Sequence, residues 1–178
     1  MKPEETKTVA KHLLAALEME IPATTAVFAA LPAGRLDYRP DQTSKNALAL
    51  MRHIALEDEW FLRSIADGKF SPPPDDSDAC GLMTPAQAVE WYKAAVPAAI
   101  ARVRELSGED LNKTLDLMGA FQLPAIQFLS MMVRHSVHHR GQLSAYIRSM
   151  GGKVPSIYGP SADTQIAAAA AAAAAAQA

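Results

Sequence analysis

The sequence contains few of the residues that disulfide-rich, iron–sulfur and nucleic-acid-binding proteins require. Among its 178 residues there is one cysteine, Cys80, which excludes an intrachain disulfide and any metal site built from several thiolates. The 17 basic residues are balanced by 19 acidic ones, so no general surface for nucleic acid is indicated. There is no run of about 18 strongly apolar residues, and no basic segment followed by an apolar one at the N-terminus. We therefore expect a cytoplasmic protein that binds neither nucleic acid nor a membrane.

Alanine is abundant, and much of it lies at the C-terminus. The chain has 35 alanines, and residues 167–176 are an unbroken run of them. Polyalanine favours helix, but it offers no amphipathic face that would predict a docking surface. A chain of this length most often forms one domain. We therefore divide it into a domain at residues 1–163 and an alanine-rich tail at residues 164–178, which could be a low-complexity extension or a helical arm.

The rest of the chain shows helical spacing of apolar side chains nearly throughout. Capping residues, prolines and glycines divide this pattern into four long helices. We predict a first helix over residues 3–31 with a kink at Pro22, and a second from a cap at Asp41, Thr43 or Ser44 to residue 66. The third runs from the cap Thr84 to residues 107–108 with an interruption at Pro97. The fourth runs from residues 123–124 to residues 151–152. Residues 109–122 are expected to be extended or irregular.

The longest break between these helices is residues 67–83. It contains three consecutive prolines followed by an acidic cluster, and such a segment cannot continue a helix. A long crossover lets the second and third helices run parallel, whereas short links force neighbouring helices to be antiparallel. The sequence thus predicts the all-α class and a four-helix bundle with a long crossover between helices 2 and 3.

Three of the five histidines, His135, His138 and His139, lie in the fourth predicted helix. His135 and His139 are four residues apart, so they lie about 40° apart around the helix axis and face the same way. This spacing lets two imidazoles bind one metal ion, whereas His138 occupies a neighbouring sector. The pair belongs to an otherwise core-facing stripe, where a polar group needs a partner. Hydrogen bonds to each other, to water or to backbone would meet that need equally well.

A third metal ligand would have to come from another helix. His53 lies mid-helix among apolar positions, and His12 lies among charged residues, so we favour His53 modestly over His12. Alone, His53 would more often be a buried, hydrogen-bonded histidine than a ligand. Glu57, one turn after His53, could act as a base or orient an imidazole, or it could form a salt bridge or face solvent. Position 136 is Ser, so the helix lacks the glutamate that metalloproteases place between their two histidines.

Several segments resemble the DinB family, a metal-binding family named for damage-inducible proteins. Residues 133–148, which include His-His-Arg-Gly-Gln-Leu, followed by residues 150–155 and 158–163, are similar to the closing signature of that family. Residues 31–40 and 51–60 resemble its first histidine region. The resemblance implies a four-helix bundle in up-down-down-up order, frequent homodimers, and a divalent metal, commonly zinc or nickel, held by His53, His135 and His139.

The resemblance leaves the reaction open. Some members of the family are transferases or isomerases that use a low-molecular-weight bacterial thiol. Three imidazoles leave metal positions open, as in catalytic sites, where a water or thiol loses its proton more readily. We therefore expect a metal-dependent transferase or hydrolase acting on a small electrophilic substrate, with Glu57 as a weak catalytic candidate. The alternatives are a non-catalytic metal-binding stress-response protein and a structural bundle whose histidines only form hydrogen bonds. Arg140, Gln142 and Tyr146 could contact substrate, although Arg140 is expected to pair with an acid instead.

Overall fold

The computed structural model describes residues 1–176, which are mostly helical. This confirms the all-α class and adds one small antiparallel hairpin. No helix in the part of the chain that the structure describes is both long enough and apolar enough to cross a membrane. In chain order the elements are α1 (Pro3–Ala29), α2 (Ala47–Asp67), α3 (Pro85–Glu105), α4 (Gly108–Asn112), β1 (Thr114–Leu117), β2 (Phe121–Pro124), α5 (Ala125–Ser149) and α6 (Ala162–Ala175).

The core lies between the four long helices α1, α2, α3 and α5. Both α1 and α2 pack against α3 and α5. Each long helix contributes an apolar stripe at helical spacing, which is what buries it. Fully buried side chains from the four helices include Leu17, Phe28, Met51, Ile54, Leu62, Tyr92, Ile100, Phe128 and Leu129. Because α2 lies directly against α5, residues in the middle of these two helices can form one site.

The start of α2 differs from the prediction. The cap is Asn46, whose side-chain oxygen accepts a hydrogen bond from the Ala49 N–H at 2.8 Å. Asp41, Thr43 and Ser44 do not cap the helix, because the Asp41 carboxylate is already occupied by the N–H and hydroxyl groups of Thr43 and Ser44. The predicted cap of α3 is present: Thr84 accepts from the Gln87 N–H at 3.2 Å, and proline follows at the first helical position.

Two long helices contain an internal proline and still continue. α1 continues through Pro22 as predicted, and the kink predicted there stays a prediction. The predicted interruption at Pro97 is wrong, since α3 runs unbroken from Pro85 to Glu105. Pro97 lies on the exposed face of α3, where solvent can satisfy the backbone carbonyl that loses its intrahelical partner. The tertiary contacts of the opposite face then hold the helix together.

The segment between α3 and α5 is more regular than the sequence indicated. Residues 114–117 and 121–124 are extended and pair as β1 and β2, which agrees with the expectation for residues 109–122 and moves the start of the last long helix from residues 123–124 to Ala125. The short helix α4 was not predicted. Its cap, Ser107, accepts from the Asp110 N–H at 3.0 Å while the Asp110 carboxylate accepts from the Ser107 N–H at 3.2 Å. This reciprocal pair is a local signal for a helix start.

The long crossover between α2 and α3 is fastened to α2 by one buried cation. Arg52 is 4% exposed, donates to the Leu82 carbonyl at 2.9 Å, and forms an ion pair with Asp78 at 2.8 Å. Gly68, in the left-handed conformation, ends α2 and lets the chain turn away. These contacts hold the crossover beside the N-terminal half of α2.

The C-terminal segment forms α6. Ser161 caps it by accepting from the Thr164 N–H at 3.1 Å, and none of its side chains is buried. The helix agrees with the intrinsic preference of alanine. It begins at Ala162, next to the proposed domain boundary at residue 163, and this division of the chain stays a prediction. The last two residues of the predicted tail lie outside the described residues.

Candidate metal centre

The structure brings His53, His135 and His139 together where α2 packs against α5. Their ring centroids lie 5.0 Å (His53–His135), 4.7 Å (His53–His139) and 4.4 Å (His135–His139) apart. One nitrogen of each ring lies within 4.8 Å of a nitrogen of each of the other two, and such a group could hold a metal ion. Nitrogens bound to one tetrahedral zinc lie about 3.4 Å apart, so only a small movement of the rings separates this arrangement from a coordinated one.

The two competing histidines lie outside this cluster. His12 is exposed on α1. His138 is exposed on α5, and although its ring centroid is 4.9 Å from that of His139, it does not join the group. Within residues 1–176 no other three histidine, cysteine or acidic side chains come together in this way.

The three imidazoles are in the protonation state that a metal requires. Burial, and secondly the nearby His139, lower the pKa of His53 to about 4. Burial and the other histidines lower the pKa of His135 to about 4, and burial also lowers the pKa of His139. All three rings are therefore neutral near pH 7 and keep a lone pair available for coordination.

A hydrogen bond determines which ring nitrogen of His139 keeps a lone pair for a metal. Its Nδ1 lies 2.7 Å from the side-chain oxygen of Gln142, one turn later on α5. An amide oxygen only accepts, so Nδ1 carries the proton and the lone pair lies on Nε2. His135 Nδ1 is buried without any hydrogen-bond partner. A buried, unpartnered imidazole nitrogen beside two others is unfavourable on its own, and it fits a site that a metal ion completes.

Glu57 lies beside the cluster without belonging to it. Its carboxylate oxygen is 3.9 Å from His53 Nδ1, which is too long for a hydrogen bond. Burial, and secondly the charge of Asp76, raise the pKa of Glu57 above its usual value. Glu57 is thus a half-buried carboxylate with a raised pKa beside His53, which makes it a candidate for proton exchange.

The two sides of the site differ in character. Aromatic rings lie on the inner side, where the centroid of Phe61 is 6.0 Å from that of His135 and the rings of Trp60, Phe70 and Phe128 complete an edge-to-face cluster. A half-exposed ion pair between Lys45 and Asp76, 3.1 Å long, contributes charge on the other side, and both of its members influence the pKa of His53. The histidines therefore lie at the edge of the apolar core.

A buried carboxyl group that the sequence analysis missed lies nearby. Asp58 is 0% exposed and accepts hydrogen bonds at Oδ2 from the Tyr92 hydroxyl at 2.6 Å and the Ser136 hydroxyl at 2.8 Å. Burial raises its pKa to about 7, against the effect of these two hydrogen bonds. The signal was present in the sequence, because Asp58 shares a helical stripe with the apolar residues Ile54, Phe61 and Ile65.

Arg140 pairs with an acid inside the fold, as expected, and this was the alternative to a contact with substrate. Its side chain is 1% exposed, pairs with Glu20 Oε2 at 2.5 Å and donates to the Thr24 hydroxyl at 3.2 Å, both on α1. It also donates to the Tyr158 hydroxyl in the closing segment. Of the other residues considered, Gln142 binds His139, and Tyr146 packs edge-on against Tyr38.

Comparison with known proteins matches the chain to one family and to two proteins of similar sequence. The family model described as the DinB family matches residues 4–168. The chain is 28% identical over 116 residues to YjoA, an uncharacterized protein of Bacillus subtilis, which covers 64% of this chain and 73% of that protein. It is 27% identical over 153 residues to a second uncharacterized Bacillus subtilis protein, YrdA, with 84% and 88% covered.

Solved structures show the same fold. The crystal structure of the DinB-like protein YjoA from Bacillus subtilis superposes with a TM-score of 0.64 at 20% sequence identity, covering 84% of this chain and 99% of that one. A DinB-like protein from Bacillus cereus gives a TM-score of 0.66 at 21% identity, with 83% and 97% covered. At this level of identity the likeness concerns the fold alone.

Proposed function

The chain belongs to the DinB family, and from this premise we propose that it is a metal-dependent protein that holds one divalent ion, zinc or nickel, on His53, His135 and His139. The observation that carries the proposal is the meeting of three neutral imidazoles from two helices, with one nitrogen of each within 4.8 Å of the others. The unpartnered, buried Nδ1 of His135 supports it, since a purely structural histidine would be expected to have a hydrogen bond there.

We also propose that the four long helices form an up-down-down-up bundle around this site. The support is the pairing of α1 and α2 with α3 and α5, together with the long crossover, which allows α2 and α3 to run parallel. In this arrangement the ligands lie on two facing helices of the bundle, as is common for metal sites in such folds.

For the chemistry, we propose a transferase or hydrolase type of reaction on a small electrophilic substrate. A divalent ion bound by three imidazoles would supply Lewis acidity and make a water or thiol a better nucleophile near neutral pH. Glu57 would accept the proton of that nucleophile, a role supported by its half-buried position beside His53 and by its raised pKa. The buried aromatic cluster around Phe61 would keep water away from the inner side. A low-molecular-weight thiol as partner and a homodimer as the assembled state stay predictions.

The proposal is tested on protein purified without a metal column. We expect about one zinc or nickel ion per chain by mass spectrometry, and turnover in a screen that combines low-molecular-weight thiols with small electrophiles. His135→Ala should lose both metal and turnover, whereas His12→Ala, a change at an exposed histidine, should keep both. Glu57→Gln should retain the metal and lower turnover on the order of 100-fold, as expected for loss of a general base.

The outcomes separate the candidate functions. Stoichiometric metal without turnover across the screen would favour a non-catalytic metal-binding stress-response protein. No stoichiometric metal in the wild type, or full metal content in His135→Ala, would contradict the metal site itself.

A further inference from the structure

The fully buried carboxyl group of Asp58 has no role in the function proposed above. Its Oδ2 accepts hydrogen bonds from Tyr92 on α3 and from Ser136 on α5, while Oδ1 has no partner at all. Placing a carboxyl group in an apolar core is unfavourable unless its hydrogen bonds compensate, and here they do so only in part. This arrangement is therefore poorly explained as a device for stability alone.

The location of these hydrogen bonds suggests what they do. Asp58 lies on α2, which carries His53, and Ser136 directly follows His135 on α5, which also carries His139. In residues 1–176, the bond from Ser136 to Asp58 is the one side-chain hydrogen bond between these two helices. The hydrophobic effect is non-directional, whereas a hydrogen bond requires its two atoms at a set distance, so the 2.8 Å bond between Ser136 and Asp58 constrains the relative height of α2 and α5.

We propose that Asp58 and Ser136 are positioning residues for the metal site, whose hydrogen bond sets the height of α5 against α2 so that His135 and His139 meet His53. Metal–ligand distances tolerate errors of only about 0.2 Å, so a small slip between the two helices would weaken binding. The inference rests on the proposed metal site. It adds a residue pair that acts through the ligands rather than by touching the ion.

The test compares two variants that each remove one hydrogen bond from the same carboxyl group. Ser136→Ala removes the hydrogen bond from α5 to Asp58. Tyr92→Phe removes the hydrogen bond from α3 to Asp58, and α3 carries none of the three histidines. Zinc affinity is measured by competition with a chelator at a temperature where both variants are folded. We expect Ser136→Ala to weaken zinc binding about 10-fold, the lower end for loss of a residue that orients ligands, and Tyr92→Phe to change it less than about two-fold.

A second readout reports geometry instead of affinity. The visible absorption of Co²⁺ bound in place of zinc should change in intensity or position in Ser136→Ala and match the wild type in Tyr92→Phe. Equal affinities for Ser136→Ala and wild type would overturn the inference. So would equal losses in both variants, since they would indicate general loosening of the core. If wild-type protein bound no zinc at all, the proposed function would fail and this inference with it.

Discussion

At the scale of single residues, the three histidines are suited to a metal because the core keeps them neutral. Burial lowers the pKa of His53 and His135 to about 4 and lowers that of His139 as well. Protons compete with a metal for the same lone pairs, so a ligand with a low pKa loses its metal only in more acidic solution. The three histidines should thus keep their affinity for a metal in mildly acidic solution.

This leads to a prediction for zinc affinity as a function of pH. Between about pH 8 and pH 6 the affinity should fall less than about five-fold, because His53 and His135 hardly titrate there and only His139 can contribute. Three exposed histidines with the ordinary pKa of about 6.5 would lose on the order of 70-fold over the same range. The measurement is chelator competition at several pH values, corrected for the protonation of the chelator. A loss of tens of fold would mean that burial does not keep these rings neutral.

Part of the site could be predicted from local sequence. The spacing of His135 and His139 places them on one helical face, and no tertiary information is needed for that. Charge patterning favoured His53 over His12 only modestly, and the family resemblance is what implied His53. Asp58 was missed because it lies between two other acids, Glu57 and Glu59, and such a run is usually solvated. The helical stripe that it shares with Ile54, Phe61 and Ile65 was the signal that could have found it, and the packing of α3 and α5 on α2 is what buries it.

At the scale of elements, the short helix α4 depends on a close contact with the start of α1. A Cβ atom at Gly108 would lie 2.0 Å from the carbonyl oxygen of Pro3, so only glycine fits there. Nothing lies within 4 Å of a Cβ at Gly141, on the exposed face of α5. Replacement by alanine should therefore lower the free energy of unfolding at Gly108 and raise it at Gly141.

We expect Gly108→Ala to lower the free energy of unfolding by roughly 2 kcal/mol or more, since backbone atoms must move apart. Gly141→Ala should raise it by about 1 kcal/mol, because alanine is the better helix former in an open helical position. Urea unfolding followed by circular dichroism measures both. A neutral Gly108→Ala would show that α4 does not dock closely on α1.

The end of a helix could be predicted where a capping side chain or a proline marks it, and less well elsewhere. Thr84 and the following proline mark the start of α3 correctly, whereas Asp41 looked like a cap but forms its own turn. The predicted break at Pro97 failed because tertiary packing of the buried face of α3 outweighs one lost backbone hydrogen bond. The helix α4 was missed because it is short and its stability comes from contact with α1.

At the scale of the whole molecule, the order of the helices brings the ligands together. The crossover, α3, α4 and the β1–β2 hairpin all lie between His53 and His135 along the chain. The two histidines meet because α2 and α5 are neighbours. Family resemblance, and not periodicity, predicted this pairing, since several helix arrangements satisfy the same apolar stripes. Of the alternatives considered for the tail, the structure shows a helix, α6, which agrees with the intrinsic preference of alanine but has no amphipathic face and buries no side chain.

The proposed function requires one divalent ion bound between α2 and α5. The most direct measurement is an anomalous difference map from crystals of the wild-type chain loaded with zinc or nickel, recorded on both sides of the absorption edge of the metal. We expect one strong peak about 2.1 Å from one nitrogen of each of His53, His135 and His139. An empty map at this position, or a peak at His12 or His138 instead, would contradict it.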